Sequence, residues 1–133
     1  MQTAVVRIST IRRTQFVPIS GQIADLVALH GWSDGILTVF VPHTTAGVTI
    51  NENADPDVAR DMEWFSDQLI PQSPYFRHAE GNSDAHLKAS FFGSSLQVIV
   101  RDSRLWLGTW QGIYFCEFDG PRQRKVYAAF AAG

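Results

Sequence analysis

Residues 35–42 read GILTVFVP, with Thr38 the one polar side chain among them. A strand with one wet face alternates apolar and polar residues, whereas a strand that stays apolar at successive positions is covered on both faces. This segment therefore asks for a sheet with material packed on each side. The run stops at Pro42. His43, Thr44 and Thr45 follow, and a second apolar segment, AGVTINE at 46–52, begins at once, with Val48 and Ile50 on one face and Thr49 and Asn51 on the other. A chain building a core has placed a histidine and two hydroxyls between two strands. They are either a polar turn or a site.

The remaining segments are bounded by strong start and stop signals. TAVVRIS and IRRTQFVPI, rich in β-branched residues, read as one long or two short strands. SGQIADLVALHG reads as a short helix with Ser20 as N-cap, Gly31 just past its end, and Ile23, Leu26, Val27 and His30 on one stripe. In DPDVARDMEWFSDQLIP, Asp55 caps a helix whose first residue, Pro56, needs no N–H partner; Val58, Met62, Phe65 and Leu69 form its expected buried stripe, and Pro71 and Pro74 stop it. NSDAHLKASFFG is a third helix, capped by Asn82 or Ser83 and ended by Gly93. SLQVIV, GIYFCEF and RKVYAAFAA are strands, with RDSR and DGPR as turns. The expected fold is α+β: a single domain with a mixed, mostly antiparallel sheet or sandwich and two to three helices packed on a sheet face.

Composition narrows the function. Hydrophobic residues make up 45% of the 133 and charged residues 18%, which suits the core of one soluble domain. A formal net charge of −2 gives no electrostatic case for nucleic acid or an anionic membrane as partner. A lone cysteine, Cys116, forms no intrachain disulfide and reads as a buried small hydrophobe, which points to a reducing, cytoplasmic protein. The N-terminus lacks the pattern of a signal peptide, and no run approaches the roughly 18 apolar residues of a membrane span. Four tryptophans and nine phenylalanines are more large aromatic surface than a small core hides, which favours self-association. Trp106, Trp110, Tyr114 and Phe118 read as core or subunit interface.

Polar residues with no structural duty mark the candidate site. His30 sits at a helix C-terminus, where a cation is at home. His78 and His86 flank AEGNSDA, so Glu80, the Asn82 cap and His86 gather at one helix N-terminus, whose free N–H groups attract a phosphate or carboxylate. His43, His78 and His86 could hold a divalent metal with an open position, although the His78-to-His86 spacing matches no metal signature; one of them could instead act as general acid or base with Glu80 fixing its tautomer, or each could bond locally. Asp55 and Asp57 are explained by the helix start, whereas Glu52 is not. The basic run PRQRK, with Arg122, Arg124 and Lys125, is a solvated turn or a phosphate contact. Neither a glycine-rich phosphate loop nor a Gly-x-Ser-x-Gly elbow is present.

HTTAGVTINENADPDV, YFRHAEGNSDAHLKASFFGSSL and LGTWQGIYFCEFDGPRQRKV, in that order, resemble the YjbQ-like proteins, the secondary thiamine-phosphate synthase family. The resemblance runs from about residue 15. One departure is RDSRL at 101–105, where a glycine-containing turn is usual. The resemblance implies a small single-domain α+β protein assembled as a homotrimer. It also implies a weak activity joining a hydroxymethylpyrimidine diphosphate to a thiazole phosphate with release of pyrophosphate. His43, His78, His86, Glu80 and Glu52 would then be catalytic, and Thr44, Thr45, Asn51, Asn82 and Arg122 would bind phosphate. Departing pyrophosphate calls for clustered cations or a divalent metal, Zn or Mg, held by the histidines and Glu52. Two other readings share these residues: a non-enzymatic trimer that captures a phosphorylated metabolite or a metal, and a metal-dependent hydrolase.

Overall fold

A computed structural model describes residues 1–133. In chain order the elements are β1 (Gln2–Ser9), β2 (Gln15–Pro18), α1 (Ser20–Leu29), β3 (Gly35–Phe40), β4 (Ala46–Glu52), α2 (Pro56–Leu69), α3 (Ser83–Phe92), β5 (Ser95–Arg101), β6 (Arg104–Leu105), β7 (Gln111–Glu117) and β8 (Gln123–Ala132). Every paired strand is antiparallel, in a five-stranded sheet β1-β8-β3-β5-β6 and a three-stranded sheet β2-β7-β4. The α+β fold with three helices is as the sequence leads one to expect.

Alternation sets the layers. Val126, Ala128 and Phe130 of β8 and Leu37 and Val39 of β3 face inward and meet Val48 of β4, Ile113 and Phe115 of β7, and Ile23 and Val27 of α1 in one core between the sheets. The other face of β7 carries Tyr114 and Cys116, which pack with Phe16 and Phe118 beneath Ala85 and Ala89 of α3 and against Met62 of α2. The small sheet is thus the middle layer, with the large sheet on one side and two helices on the other.

Three expectations change. The strand covered on both faces is β7, not β3: six consecutive residues from Gly112 to Glu117 are buried, whereas Ile36 and Phe40 of β3 remain 38% and 42% exposed. No element of the chain lies over the outer face of the large sheet. Secondly, α2 covers only the Val58 and Met62 part of its apolar stripe. It turns Ala59, Met62, Glu63 and Ser66 inward and leaves Phe65 and Leu69 57% and 59% exposed. Glu63 has a reason to go in: Arg12 donates to both its oxygens at 3.1 Å, and the Phe16 N–H donates to Oε2 at 2.7 Å. Thirdly, Ser20 does not cap α1. Its hydroxyl accepts from the Ile113 N–H at 2.7 Å and so ties α1 to β7, while Ile19 occupies the cap. His30 stands at the C-cap and stacks on Trp32 with ring centroids 4.9 Å apart.

The glycine-free hairpin between β5 and β6 puts Asp102 and Ser103 at φ 51° and 61°. That left-handed pair suits a two-residue hairpin; Asp102 is among the residues that tolerate it, whereas Ser103 is strained there. Ser103→Gly keeps the Ser103 N–H bond to the Ser33 carbonyl. It is expected to stabilise the fold by about 0.5–1 kcal/mol, read as a higher urea midpoint at unchanged slope.

Candidate functional site

Pro42 has no N–H, so the β3–β8 ladder cannot continue past it. Extending the register from Phe40 opposite Tyr127 would set Pro42 opposite Lys125. The His43 imidazole bonds there instead: its Nε2 lies 3.0 Å from the Lys125 nitrogen and 3.1 Å from the Lys125 oxygen. An amide N–H only donates, so Nε2 accepts, and the ring proton of the neutral imidazole sits on Nδ1. Burial and then the Arg124 charge hold the His43 pKa below its ordinary value, against the opposing pull of the Lys125 backbone and Glu117. His43 is therefore a neutral donor at neutral pH.

Beneath it lies a buried ion pair. Arg124 of β8 is 6% exposed and Glu117 of β7 is fully buried. The guanidinium meets the carboxylate edge on, Nε to Oε1 at 2.9 Å and Nη2 to Oε2, and Nη2 also donates to the Thr45 hydroxyl at 2.8 Å. The Thr10 hydroxyl donates to Oε1 at 2.8 Å and the Asp119 N–H to Oε2 at 3.0 Å. Burial by itself raises the Glu117 pKa; the donors from Arg124, Asp119 and Thr10 outweigh it and hold the carboxyl below its usual value. Nη1 of Arg124 bonds to no protein atom and is not sealed, so it opens to the cleft that Arg124 lines. Arg122 repeats the pattern nearer the surface. Its Nε donates to the Asp119 carbonyl at 2.9 Å and its Nη2 to the Asp119 carboxylate at 2.7 Å, leaving Nη1 free.

The opposite wall is the start of α3. Asn82 stands at the cap position, and its carbonyl accepts from the N–H groups of Ala85 and His86, but its side chain does not cap the helix. Nδ2 donates instead to Asp119 at 2.7 Å, and Oδ1 is buried without a partner. The His86 ring meets that of His78 edge to face at 5.3 Å, and Glu80 lies 3.8 Å from His78 Nε2. Behind the wall, Arg13 and Lys88 hold Asp84 at 3.0 and 3.6 Å, and Lys88 reaches Asp67 of α2 at 2.7 Å. This fixes the helix end against the rest of the molecule.

Together these walls enclose a cleft of ≈ 710 Å³. Of the residues expected from the sequence it gathers His43, Thr44 and Thr45 on one side, His78, Glu80, Asn82 and His86 on the other, and Arg122 at the rim. Sharing His43, Thr44, His86 and Ser94 with it is a smaller recess of ≈ 480 Å³, walled by Ala46, Ala89 and Gly93.

Asn51 and Glu52 are not part of it. They end β4 at the far side of the sandwich, about 20 Å from Ala46 at the rise of a strand. The Asn51 carbonyl oxygen Oδ1 accepts from the Glu52 N–H at 2.7 Å, and the Glu52 carbonyl accepts from the Tyr114 hydroxyl at 2.9 Å. The three histidines are not gathered as one ligand set: no group of three or more His, Cys, Asp or Glu side chains is arranged to hold an ion, and His43 Nε2 accepts from the Lys125 N–H. Sequence reasoning reaches Arg124 only as a member of the basic run at 121–125 and does not reach Glu117, so their pairing is what it misses. The signal was a carboxylate inside the apolar strand GIYFCEF and an arginine in phase with Val126, Ala128 and Phe130, since each charge needs a partner if buried.

A family model described as UPF0047 protein YjbQ-like matches residues 4–133. The UPF0047 protein MJ1081 of Methanocaldococcus jannaschii is 50% identical over 121 residues, covering 91% of this chain and 88% of that protein. The UPF0047 protein YugU of Bacillus subtilis is 49% identical over 122 residues, covering 91% and 92%. Among solved structures, an uncharacterized conserved protein of the YjbQ/UPF0047 family from Clostridium acetobutylicum superposes with a TM-score of 0.92 at 51% identity, covering 96% of this chain and 99% of that one. The hypothetical protein APE1520 from Aeropyrum pernix gives 0.94 at 36% identity with full coverage of both chains. With the same order of elements along nearly its whole length, this chain belongs to the YjbQ-like UPF0047 family.

Proposed function

We propose that the cleft binds the phosphates of a small phosphorylated molecule and stabilises pyrophosphate as it leaves, in a transfer of the thiamine-phosphate synthase type. The observation that supports this is the pair of arginines that line one cleft, each anchored through Nε and Nη2 by Glu117 or Asp119 with its Nη1 free of any protein partner. In the transfer, the carbon–oxygen bond of the pyrimidine's hydroxymethyl carbon breaks and its electron pair goes to the pyrophosphate oxygen. The thiazole nitrogen supplies the pair for the new carbon–nitrogen bond, and no proton has to move. The chemical demand is therefore for fixed positive charge where the leaving group develops its negative charge. Arg124, Arg122, the Nδ1–H of His43, the Thr44 hydroxyl and the start of α3 supply it. A divalent cation, Mg or Zn, would enter on the ligand's own phosphate oxygens. The acting unit is taken to be the homotrimer that the resemblance implies, in the cytoplasm; no helix is long and apolar enough to cross a membrane.

Calorimetry with inorganic pyrophosphate tests the binding. Arg122→Ala removes a charged donor and should weaken it by about 10- to 100-fold. Unchanged affinity would show that the cleft is not the phosphate site. Product formation from the two phosphorylated substrates tests the transfer. Strong thermal stabilisation by pyrophosphate without any product would leave a non-enzymatic binder as the function.

A further inference from the structure

The large sheet has an outer face that its own chain does not cover. Val5 of β1, Tyr127 of β8, Ile36 and Phe40 of β3 and Ile99 of β5 stand on it, each 38–50% exposed. The register makes them neighbours: Val5 and Phe40 both lie opposite Tyr127, and Ile36 lies opposite Ile99. The Phe40 and Tyr127 rings stack with centroids 6.4 Å apart. A contiguous exposed apolar surface marks an interaction site.

Charge indicates what covers it. Strands β1, β3, β5, β6 and β8 contain no Asp or Glu, and Arg7, Lys125, Arg101 and Arg104 share the outer face with the apolar group. Two such faces cannot meet each other without setting like charges together. One exposed apolar surface elsewhere on the molecule, on α2, has the opposite sign. On α2, Trp64, Phe65 and Leu69 are 64%, 57% and 59% exposed, and Asp57 and Asp61 lie among them with Arg60 the helix's one base. Two α2 surfaces would likewise set acid against acid.

We propose that α2 of a second copy of this chain covers the outer sheet face, with Trp64, Phe65 and Leu69 seated among Ile36, Ile99 and Tyr127 and Asp61 meeting the basic rim. The contact presupposes the assembly stated under Proposed function and assigns its surfaces. It joins two different patches, so it runs head to tail, and closing a ring satisfies every patch. Phe40 also lines the cleft, so the neighbour's helix borders the cleft mouth.

Two variants break one patch each: Trp64→Asp on the helix and Ile99→Asp on the sheet. Loss of a buried aromatic anchor weakens such a contact by roughly thirtyfold or more. By light scattering, wild type should run at a multiple of the 14.8 kDa chain, and each variant alone at 14.8 kDa. Mixed one to one, the intact helix of one variant meets the intact sheet of the other, and a species of twice the chain mass should form. Circular dichroism confirms that each variant is folded, and Trp64→Ser with Ile99→Ser replaces any that is not. A monomeric wild type overturns the assembly itself. A variant that still assembles alone, or a mixture that stays monomeric, overturns this pairing of surfaces while leaving an assembly in place.

Discussion

Arg124→Met is expected to lower the stability of the fold by about 3–5 kcal/mol, because it strands a fully buried carboxylate, and to remove pyrophosphate binding as well. The two losses have different causes and can be separated. Adding Glu117→Gln removes the stranded charge, so the double variant should recover about 2 kcal/mol or more of the stability and none of the binding. Urea titration of the wild type, both single variants and the double variant measures the first; calorimetry measures the second. If the double variant binds pyrophosphate like wild type, Arg124 is a structural residue only. The pair also has a pH signature. The Glu117 carboxyl is held below its ordinary value of 4.5, so its contribution is complete above the unfolded value and disappears as the pH falls through the lower folded value. Below pH 4.5 the wild type should lose stability more steeply than the double variant, which has nothing to titrate at that position.

His43→Ala should slow turnover by roughly 100- to 1,000-fold while leaving the circular dichroism spectrum intact, the usual cost of losing one fixed donor to a developing negative charge. Two controls identify what the imidazole does. Asparagine carries a donor near the place of Nδ1–H, so His43→Asn should recover part of the rate if His43 works as a donor, and none if it works as a base. Burial and Arg124 hold the His43 pKa below 6.5, so the neutral ring persists to lower pH than an exposed histidine. Turnover should stay level from pH 8 down to pH 6.5, with any His43-dependent decline setting in below that. A decline already complete at pH 6.5 would contradict the neutral-donor role.

Most of the cleft was legible because it is built from polar runs at element ends. HTT follows a strand closed by proline, and HAEGNSDAH leads into a helix; of the two runs only Ala85 joins the core. Glu52 enters the candidate site because the helix start leaves it unexplained, and Asn51 through the resemblance, but both end a strand whose other end is the one beside the cleft. The doubly covered strand was misplaced for a related reason. β3 is apolar on both faces, which the sequence shows, yet only one of those faces is covered within the chain. The inward face of α2 is polar because Arg12 and the Phe16 amide come from a distant segment to meet Glu63, and helical periodicity carries no trace of such a partner. The burial of Arg124 stays hidden on the same principle: its environment is decided by Glu117, across a turn and on another sheet.

β7 is bonded along both edges, by β2 and β4, and roofed on both faces. Its amides therefore have no route to solvent short of opening the entire molecule, and their exchange with deuterium should track global unfolding, while the N–H groups that end α3 and the hairpin tip exchange far sooner. Glu117 is the last residue of that strand. The guanidinium it aims into the cleft is thus moored to the slowest-exchanging part of the protein, and its position can drift only as often as the whole chain lets go.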